Sequence, residues 1–74
     1  MQIEIDEIII PANRYRSVRP STVDALADSI RTLGQLQPII VTPEKRLIAG
    51  YHRYLALKRL EQPQIDVTVL DVDR

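Results

Sequence analysis

The hydrophobic residues of this chain change their period along the sequence, and the order of those changes limits the folds that the chain can adopt. Ile3 and Ile5 alternate with polar residues, and three further isoleucines run up to Pro11, which predicts a strand that leads into a loop. Residues 11–20 contain two prolines and three arginines without a periodic apolar pattern. We therefore expect residues 11–20 to form an irregular connection.

The first helix is predicted by apolar residues at helical spacing in front of a glycine. These residues are Val23, Leu26, Ala27, Ile30 and Leu33. Ser21 stands three residues before Asp24, a variant of the capping box, and predicts the N-terminus of the helix. Gly34 predicts its C-terminus, because glycine readily adopts the left-handed conformation that ends many helices.

The second half of the chain predicts two short strands, a helix and a last strand. The apolar run at residues 39–41 is typical of a strand buried on both faces, and residues 42–45 predict a turn into a strand at residues 47–49. A second helix is predicted from Gly50 onwards. Alternating apolar and polar residues over 65–69 predict the last strand.

The order strand, helix, strand, strand, helix, strand predicts an α+β fold, with a small mixed sheet of about four strands and two main helices. A chain of 74 residues buries only about 60% of its unfolded surface, so we expect a single domain over residues 1–74 with one thin core. That domain is either a complete protein or the N-terminal part of a longer one. The sequence has no cysteine and one histidine, which excludes disulfides, zinc-thiolate sites, thiol nucleophiles and His-rich metal sites.

The N-terminus lacks the features of a targeting segment. Residues 1–10 contain three acids and no base, unlike a signal or transit peptide, and no apolar stretch approaches membrane-spanning length. We expect a prokaryotic, cytoplasmic protein without membrane contact.

The zero net charge conceals an uneven distribution of charge. Residues 11–60 hold nine basic and three acidic residues, whereas residues 1–10 and 61–74 are both net acidic. An anion-binding face would account for this pattern, and so would surface ion pairs between terminal strands and central helices. Both interpretations stay open at this point.

An anion site is predicted where the second helix begins. Gly50 lies at a strand-to-helix junction and is followed by His52 and Arg53. Exposed helix N–H groups and nearby cations can converge there on a phosphate. Arg53 could instead pair with Asp24 or Asp28, but a cation in a first helical turn is unfavourable without an anion, so we favour ligand contact.

Two neighbours of Arg53 allow alternative interpretations. His52 could contact a phosphate, or it could cap the turn or face solvent. Tyr51 could stack on a base, or it could cover the apolar edge of the sheet together with Tyr54, which follows at helical spacing. For Tyr51 we favour packing.

Several ordered motifs resemble the N-terminal domain of ParB-type partition proteins, also called the ParB-like nuclease domain. They are Leu-Ala-Asp-Ser-Ile at 26–30, Gly-Gln-Leu-Gln-Pro at 34–38, Leu-Ile-Ala-Gly at 47–50, and a following helix with basic residues in its first turn. The similarity runs from about Ile5 to Val69. The same superfamily contains sulfiredoxin and some small-molecule kinases.

The resemblance implies a nucleotide site with two parts. A loop that contacts base, sugar or phosphate would include Gly34, Gln35, Gln37 and Pro38. A phosphate cradle would include Gly50, Tyr51, His52 and Arg53. The implied cofactor is a nucleoside triphosphate, CTP or ATP, with Mg²⁺.

The resemblance also implies a link to DNA. The partition family has an arginine-rich loop that contributes to activity and partner contacts, and the matching candidates for phosphate or DNA contact are Arg14, Arg16 and Arg19. Partition proteins read DNA through a helix-turn-helix segment that follows this domain. The expected partners are therefore a nucleotide, DNA through additional domains or a partner protein, and a second copy of the chain. Association with the nucleoid would follow.

Two positions depart from the family patterns. ParB proteins usually have Gly-Glu-Arg-Arg where this chain has Gly50, Tyr51, His52 and Arg53, which puts hydrolysis of CTP in doubt. Sulfiredoxins have Gly-Cys-His-Arg, so Tyr51 takes the place of their reactive cysteine. A phenol cannot replace a thiol in that redox chemistry.

Three functions remain, and no catalytic residue is assigned. The leading one is a nucleotide-binding regulatory module linked to DNA partition, DNA modification or transcription, in which the nucleotide changes self-association. The alternative is a small ATP-dependent phosphotransferase or weak NTPase, with a general base drawn from Glu7, Asp28 or Glu44. A nuclease is third, because it would need clustered carboxylates that hold a metal.

Overall fold

A computed structural model of the chain describes residues 1–11, 18–35 and 37–71, and its main elements are four strands and two helices. The strands are β1 (Gln2–Glu4), β2 (Ile39–Val41), β3 (Leu47–Ala49) and β4 (Gln64–Val69), and the helices are α1 (Pro20–Leu33) and α2 (Tyr51–Arg59). The strand order is β1-β4-β2-β3, with β4 antiparallel to β1 and parallel to β2. The predicted α+β fold with a mixed sheet is confirmed.

The isoleucine-rich N-terminus forms a shorter strand than predicted. β1 ends at Glu4, and Ile5–Glu7 form a single 3-10 turn in which the Ile8 N–H donates to the Ile5 carbonyl at 3.2 Å. This turn allows both Ile5 and Ile8 to be buried, whereas a continuous strand would place them on opposite faces. Ile9 then pairs with Arg46 at the outer side of β3.

Helix α1 begins one residue before the predicted cap. Its N-cap is Arg19 and its first residue is Pro20, so the predicted N-cap at Ser21 is wrong. Proline suits this position because it has no N–H to satisfy and its φ is already helical. The C-terminus is confirmed, since Gly34 has φ 81° and donates its N–H to the Ile30 carbonyl at 2.7 Å.

The turn at residues 42–45 joins β2 to β3 as predicted. The Lys45 N–H donates to the Thr42 carbonyl, and the Thr42 N–H donates to the Arg46 carbonyl, each at 2.8 Å. In β2, Ile39 and Val41 are fully buried while Ile40 is half-buried, so burial on both faces is incomplete.

One aliphatic core unites both helices and all four strands. Its most buried large residues are Ile39, Leu47, Leu57, Ile65 and Val41. The two helices pack extensively on each other, and α2 also contacts β2. This packing fixes the start of α2 beside the start of β2. In the part of the chain that the structure describes, no helix is long and apolar enough to cross a membrane.

Candidate functional site

The N-terminus of α2 has the features of an anion site. Its N-cap, Gly50, adopts the left-handed conformation (φ 98°, ψ 32°) and, as a glycine, has no side chain with which to cap the helix. The first turn contains no acidic residue. Because the first N–H groups of a helix lack intrahelical acceptors, this end of α2 has positive potential that no capping carboxylate offsets.

Arg53 connects the start of α2 to a cavity. The side chain is half-buried and lines a space of about 140 Å³ together with Gly34 and Gln37. The other lining residues, all from α1, are Leu26, Ser29 and Ile30. The cavity therefore combines a guanidinium, a hydroxyl and an amide with an aliphatic wall. Such a lining suits a ligand that has both an anionic and an apolar part.

The charge of Arg53 is not neutralised by another described residue. Asp24 contacts Arg59, and Asp28 contacts Arg31, in ion pairs on the surface. The alternative pairing of Arg53 with either acid is therefore wrong. Among residues 1–11, 18–35 and 37–71, Arg53 takes part in no ion pair.

His52 joins the two helices. The backbone N–H of Arg19, the N-cap residue of α1, donates to Nε2 of His52 at 3.1 Å. In this hydrogen bond Nε2 of His52 is the acceptor. His52 does not line the cavity of Arg53. Phosphate contact by His52 stays a prediction, and its observed partner is the start of α1.

The tyrosines of α2 pack on each other. The rings of Tyr51 and Tyr54 are stacked, with centroids 6.3 Å apart and planes inclined by 14°. Tyr51 also meets His52 edge to face, at 6.3 Å between centroids. The packing interpretation of Tyr51 is confirmed, and its contact with a nucleotide stays a prediction.

The predicted nucleotide loop at 34–38 is divided between two environments. Gly34 and Gln37 line the cavity of Arg53, and Pro38 is exposed immediately before β2. The side chain of Gln35 is turned towards β4, where its amide bonds to the backbone of Asp66. Arg14 and Arg16 lie outside the described residues, whereas Arg19 is exposed at the start of α1.

Sequence reasoning did not identify the contribution of α1 to the cavity. Leu26, Ser29 and Ile30 supply one wall. The sequence feature that could have indicated this wall is Ser29, a hydroxyl residue three positions after Leu26 and therefore on the same side of the helix. Among the residues that the structure describes, no group of three or more His, Asp or Glu side chains could hold a metal ion.

The fold and the site define a small α+β domain with an arginine-lined cavity at the N-terminal end of its second helix, and comparison with known proteins names its family. The model of the ParB N-terminal domain matches residues 1–74, and the chain belongs to that family. The "Probable chromosome-partitioning protein ParB" of Campylobacter jejuni is 37% identical over 75 residues, which cover 96% of this chain and 27% of that protein. The chain thus spans about a quarter (27%) of the length of the curated relatives that it matches.

Solved structures give the same fold. A C-terminally truncated ParB from Caulobacter crescentus, complexed with CTP-γ-S, matches with a TM-score of 0.86 and 28% identity over 99% of this chain and 44% of that chain. The truncated Caulobacter protein complexed to the centromeric parS site matches with a TM-score of 0.85. Sulfiredoxin from Arabidopsis thaliana matches with a TM-score of 0.86 and 31% identity, over 97% of this chain and 84% of that chain. The predicted ParB and sulfiredoxin superfamily is confirmed.

Proposed function

We propose that this chain is a nucleoside-triphosphate-binding module of a ParB-type partition protein. The observation on which the proposal rests is Arg53, a half-buried arginine without an ion-pair partner among the described residues. It lies in the first turn of a helix whose N-cap is a glycine, and in the wall of a cavity. The complex of the Caulobacter relative with CTP-γ-S supports the same ligand class.

The nucleotide would lie with its phosphates on the first turn of α2. The Arg53 guanidinium can bind phosphate oxygens in a bidentate manner, and the helix N-terminus adds favourable potential. Ser29 and Gln37 offer a hydroxyl and an amide for the sugar or base, against the aliphatic wall of Leu26 and Ile30. No described carboxylate lines this cavity, so we expect Mg²⁺ to enter with the triphosphate and be held by its oxygens.

The environments of the acidic residues favour binding over phosphotransfer. Of the candidate general bases, Glu7 pairs with Lys45 at 2.8 Å, Asp28 contacts Arg31, and Glu44 lies in the turn between β2 and β3. None of them lines the cavity of Arg53. A general base must come within hydrogen-bond reach of the proton that it accepts.

The bound nucleotide would act by selecting one arrangement of the protein. A ligand shifts an equilibrium only by binding one state better than another. The Caulobacter relative was solved with the parS site. We therefore extend the proposal to partition: the nucleotide would change self-association or DNA engagement in the whole protein to which this domain belongs.

Thermal denaturation with CTP, ATP, GTP or UTP, each with Mg²⁺, tests the proposal. A ligand at about a hundredfold its Kd stabilises a fold by roughly 2.7 kcal/mol, which raises the Tm of a domain of this size by roughly 10–20 °C. Arg53→Ala should abolish this shift and leave the apo Tm nearly unchanged.

Arg59→Ala is the matched control for this experiment. Arg59 lies on the same helix but outside the cavity, so its replacement should preserve the nucleotide-induced shift. The absence of a shift in the wild type with all four nucleotides at millimolar concentration would contradict the proposal. Equal loss of the shift in both variants would show that Arg53 has no specific role.

A further inference from the structure

The amide of Gln35 uses its full donor capacity on the protein backbone. Its Nε2 donates to the Asp66 carbonyl at 2.9 Å and to the Gln37 carbonyl at 3.0 Å. Its Oε1 accepts the Asp66 N–H at 2.8 Å. The side chain thus reproduces the donor and acceptor pair of a peptide group, facing a strand that lies 31 residues away in the sequence.

These bonds lie beside the first residue pair of the β2–β4 ladder. The Leu70 N–H donates to the Val41 carbonyl of β2, whereas the Val67 N–H donates to the Met1 carbonyl beside β1. Because successive backbone groups of a strand point to opposite sides, the N–H of Asp66 also points towards β2. The register of the two strands starts only at Ile39 and Val67. Oε1 of Gln35 therefore accepts an N–H that lies just before the first residue of β2.

Gln35 lies between two residues that line the cavity of Arg53. Gly34 and Gln37 both face that cavity. Gln35 faces a second space of about 220 Å³, together with Asp66 and Gln62. The bonds to Asp66 hold Gln35 against β4. The bond to the Gln37 carbonyl orients Gln37, which lines the cavity.

We propose that Gln35 is a positioning residue, which holds Gly34 and Gln37 in the wall of the nucleotide cavity by extending the β4 ladder through its side chain. This inference rests on the proposed function and differs from the predicted direct contact between Gln35 and the nucleotide. Its donors are used within the protein, so it acts on the ligand through its neighbours. Pre-ordering a binding segment lowers the cost of ligand binding.

Two substitutions separate positioning from general stability. Gln35→Glu keeps the length of the side chain but removes both donors and places a carboxylate beside the Asp66 carbonyl. Gln35→Ala removes the whole amide and serves if the glutamate variant does not fold. The matched control is Gln62→Glu, because Gln62 lines the same second space and its side chain forms no described hydrogen bond.

The first measurement is amide hydrogen exchange by NMR without nucleotide. Faster exchange of the Asp66 N–H in the Gln35 variants, with unchanged exchange at Leu57 in the core and no change in the Gln62→Glu control, is the expected result. Unchanged exchange at Asp66 would overturn the proposed anchoring, whatever the protein binds.

The second measurement is the Kd for CTP and for ATP with Mg²⁺, below the Tm of every variant. We expect the Kd of the better ligand to rise at least about tenfold in the Gln35 variants and to stay unchanged in the Gln62→Glu control. A purely structural Gln35 would lower the apo Tm without changing the Kd, and that result would overturn positioning. Absence of binding to the wild type would refute the proposed function, while hydrogen exchange would still decide the anchoring.

Discussion

Arg53 and Tyr51 lie two residues apart on α2, yet the structure gives them different environments. Arg53 lines the cavity with its charge unpaired among the described residues. Tyr51 stacks on Tyr54 at the position where sulfiredoxins have their reactive cysteine. The chain therefore keeps the cation of the phosphate-binding motif and lacks the thiol.

We expect no reduction of a sulfinic acid by this protein. The repair chemistry needs a thiolate that attacks the activated sulfinate, and the sequence has no cysteine. The measurement is ATP-dependent repair of a sulfinylated peroxiredoxin, with the Arabidopsis sulfiredoxin as positive control. Repair faster than in the absence of this protein would contradict the prediction that sulfinic-acid reduction requires a cysteine thiol.

At the scale of elements, the junction between β3 and α2 determines where the proposed anion site lies. Gly50 follows the last residue of β3 and is the N-cap of α2, in a left-handed conformation. A Cβ added there would meet Cγ1 of Ile39 at 3.4 Å, an ordinary contact, so conformation rather than space requires glycine. The core packing of Ile39 and Leu57 holds the junction in place.

Replacement of Gly50 by alanine should cost stability through backbone strain. A left-handed conformation costs an L-residue roughly 1–2 kcal/mol, so Gly50→Ala should lower the free energy of unfolding by about that amount, measured by urea denaturation. Gly34→Ala is a comparison without a packing contact, since no atom lies within 4 Å of the added Cβ, and its backbone (φ 81°, ψ 179°) lies in a region that essentially only glycine adopts, so its loss should be at least as large. A much larger loss at Gly50 would show that its contact with Ile39 dominates, and no loss would refute the strain.

At the scale of the whole molecule, ion pairs within the domain use part of the central positive charge. Lys45 pairs with Glu7 beside β1, Arg59 contacts Asp24, and Arg31 contacts Asp28. The Lys45–Glu7 pair links the acidic N-terminal segment to the basic central one, as the ion-pair interpretation predicts, whereas both partners of the other two pairs lie within residues 11–60. Arg53 takes part in no ion pair among the described residues, and Arg19 and Arg46 are exposed cations that a nucleic acid could reach.

These 74 residues should bind DNA weakly and with little sequence preference. If roughly three to five phosphates are neutralised, the log–log dependence of the binding constant on salt should have a slope of about −3 to −4.5. Titration against a random and a palindromic duplex at several salt concentrations measures this slope. Tight binding that distinguishes the duplexes and persists at high salt would instead identify the domain as a sequence reader.

The sequence by itself determined the order of the elements and the glycines at which α1 ends and α2 begins. Helical spacing ending at Gly34 gave α1, and Gly50 followed by basic residues gave the start of α2. These predictions succeed because periodicity, turns and helix ends depend on residues close together in the chain. The 3-10 turn at Ile5–Glu7 was missed because only the shared core requires Ile5 and Ile8 to face inwards together.

Only the tertiary structure decided which residues become partners. His52 accepts the N–H of Arg19, 33 residues away, Gln35 bonds to Asp66, and Asp24 contacts Arg59 rather than Arg53. Ser29 joins the cavity through the packing of α1 against α2. Spacing along the chain defines the face of an element, but contacts between distant side chains depend on the relative placement of elements, which the common core fixes.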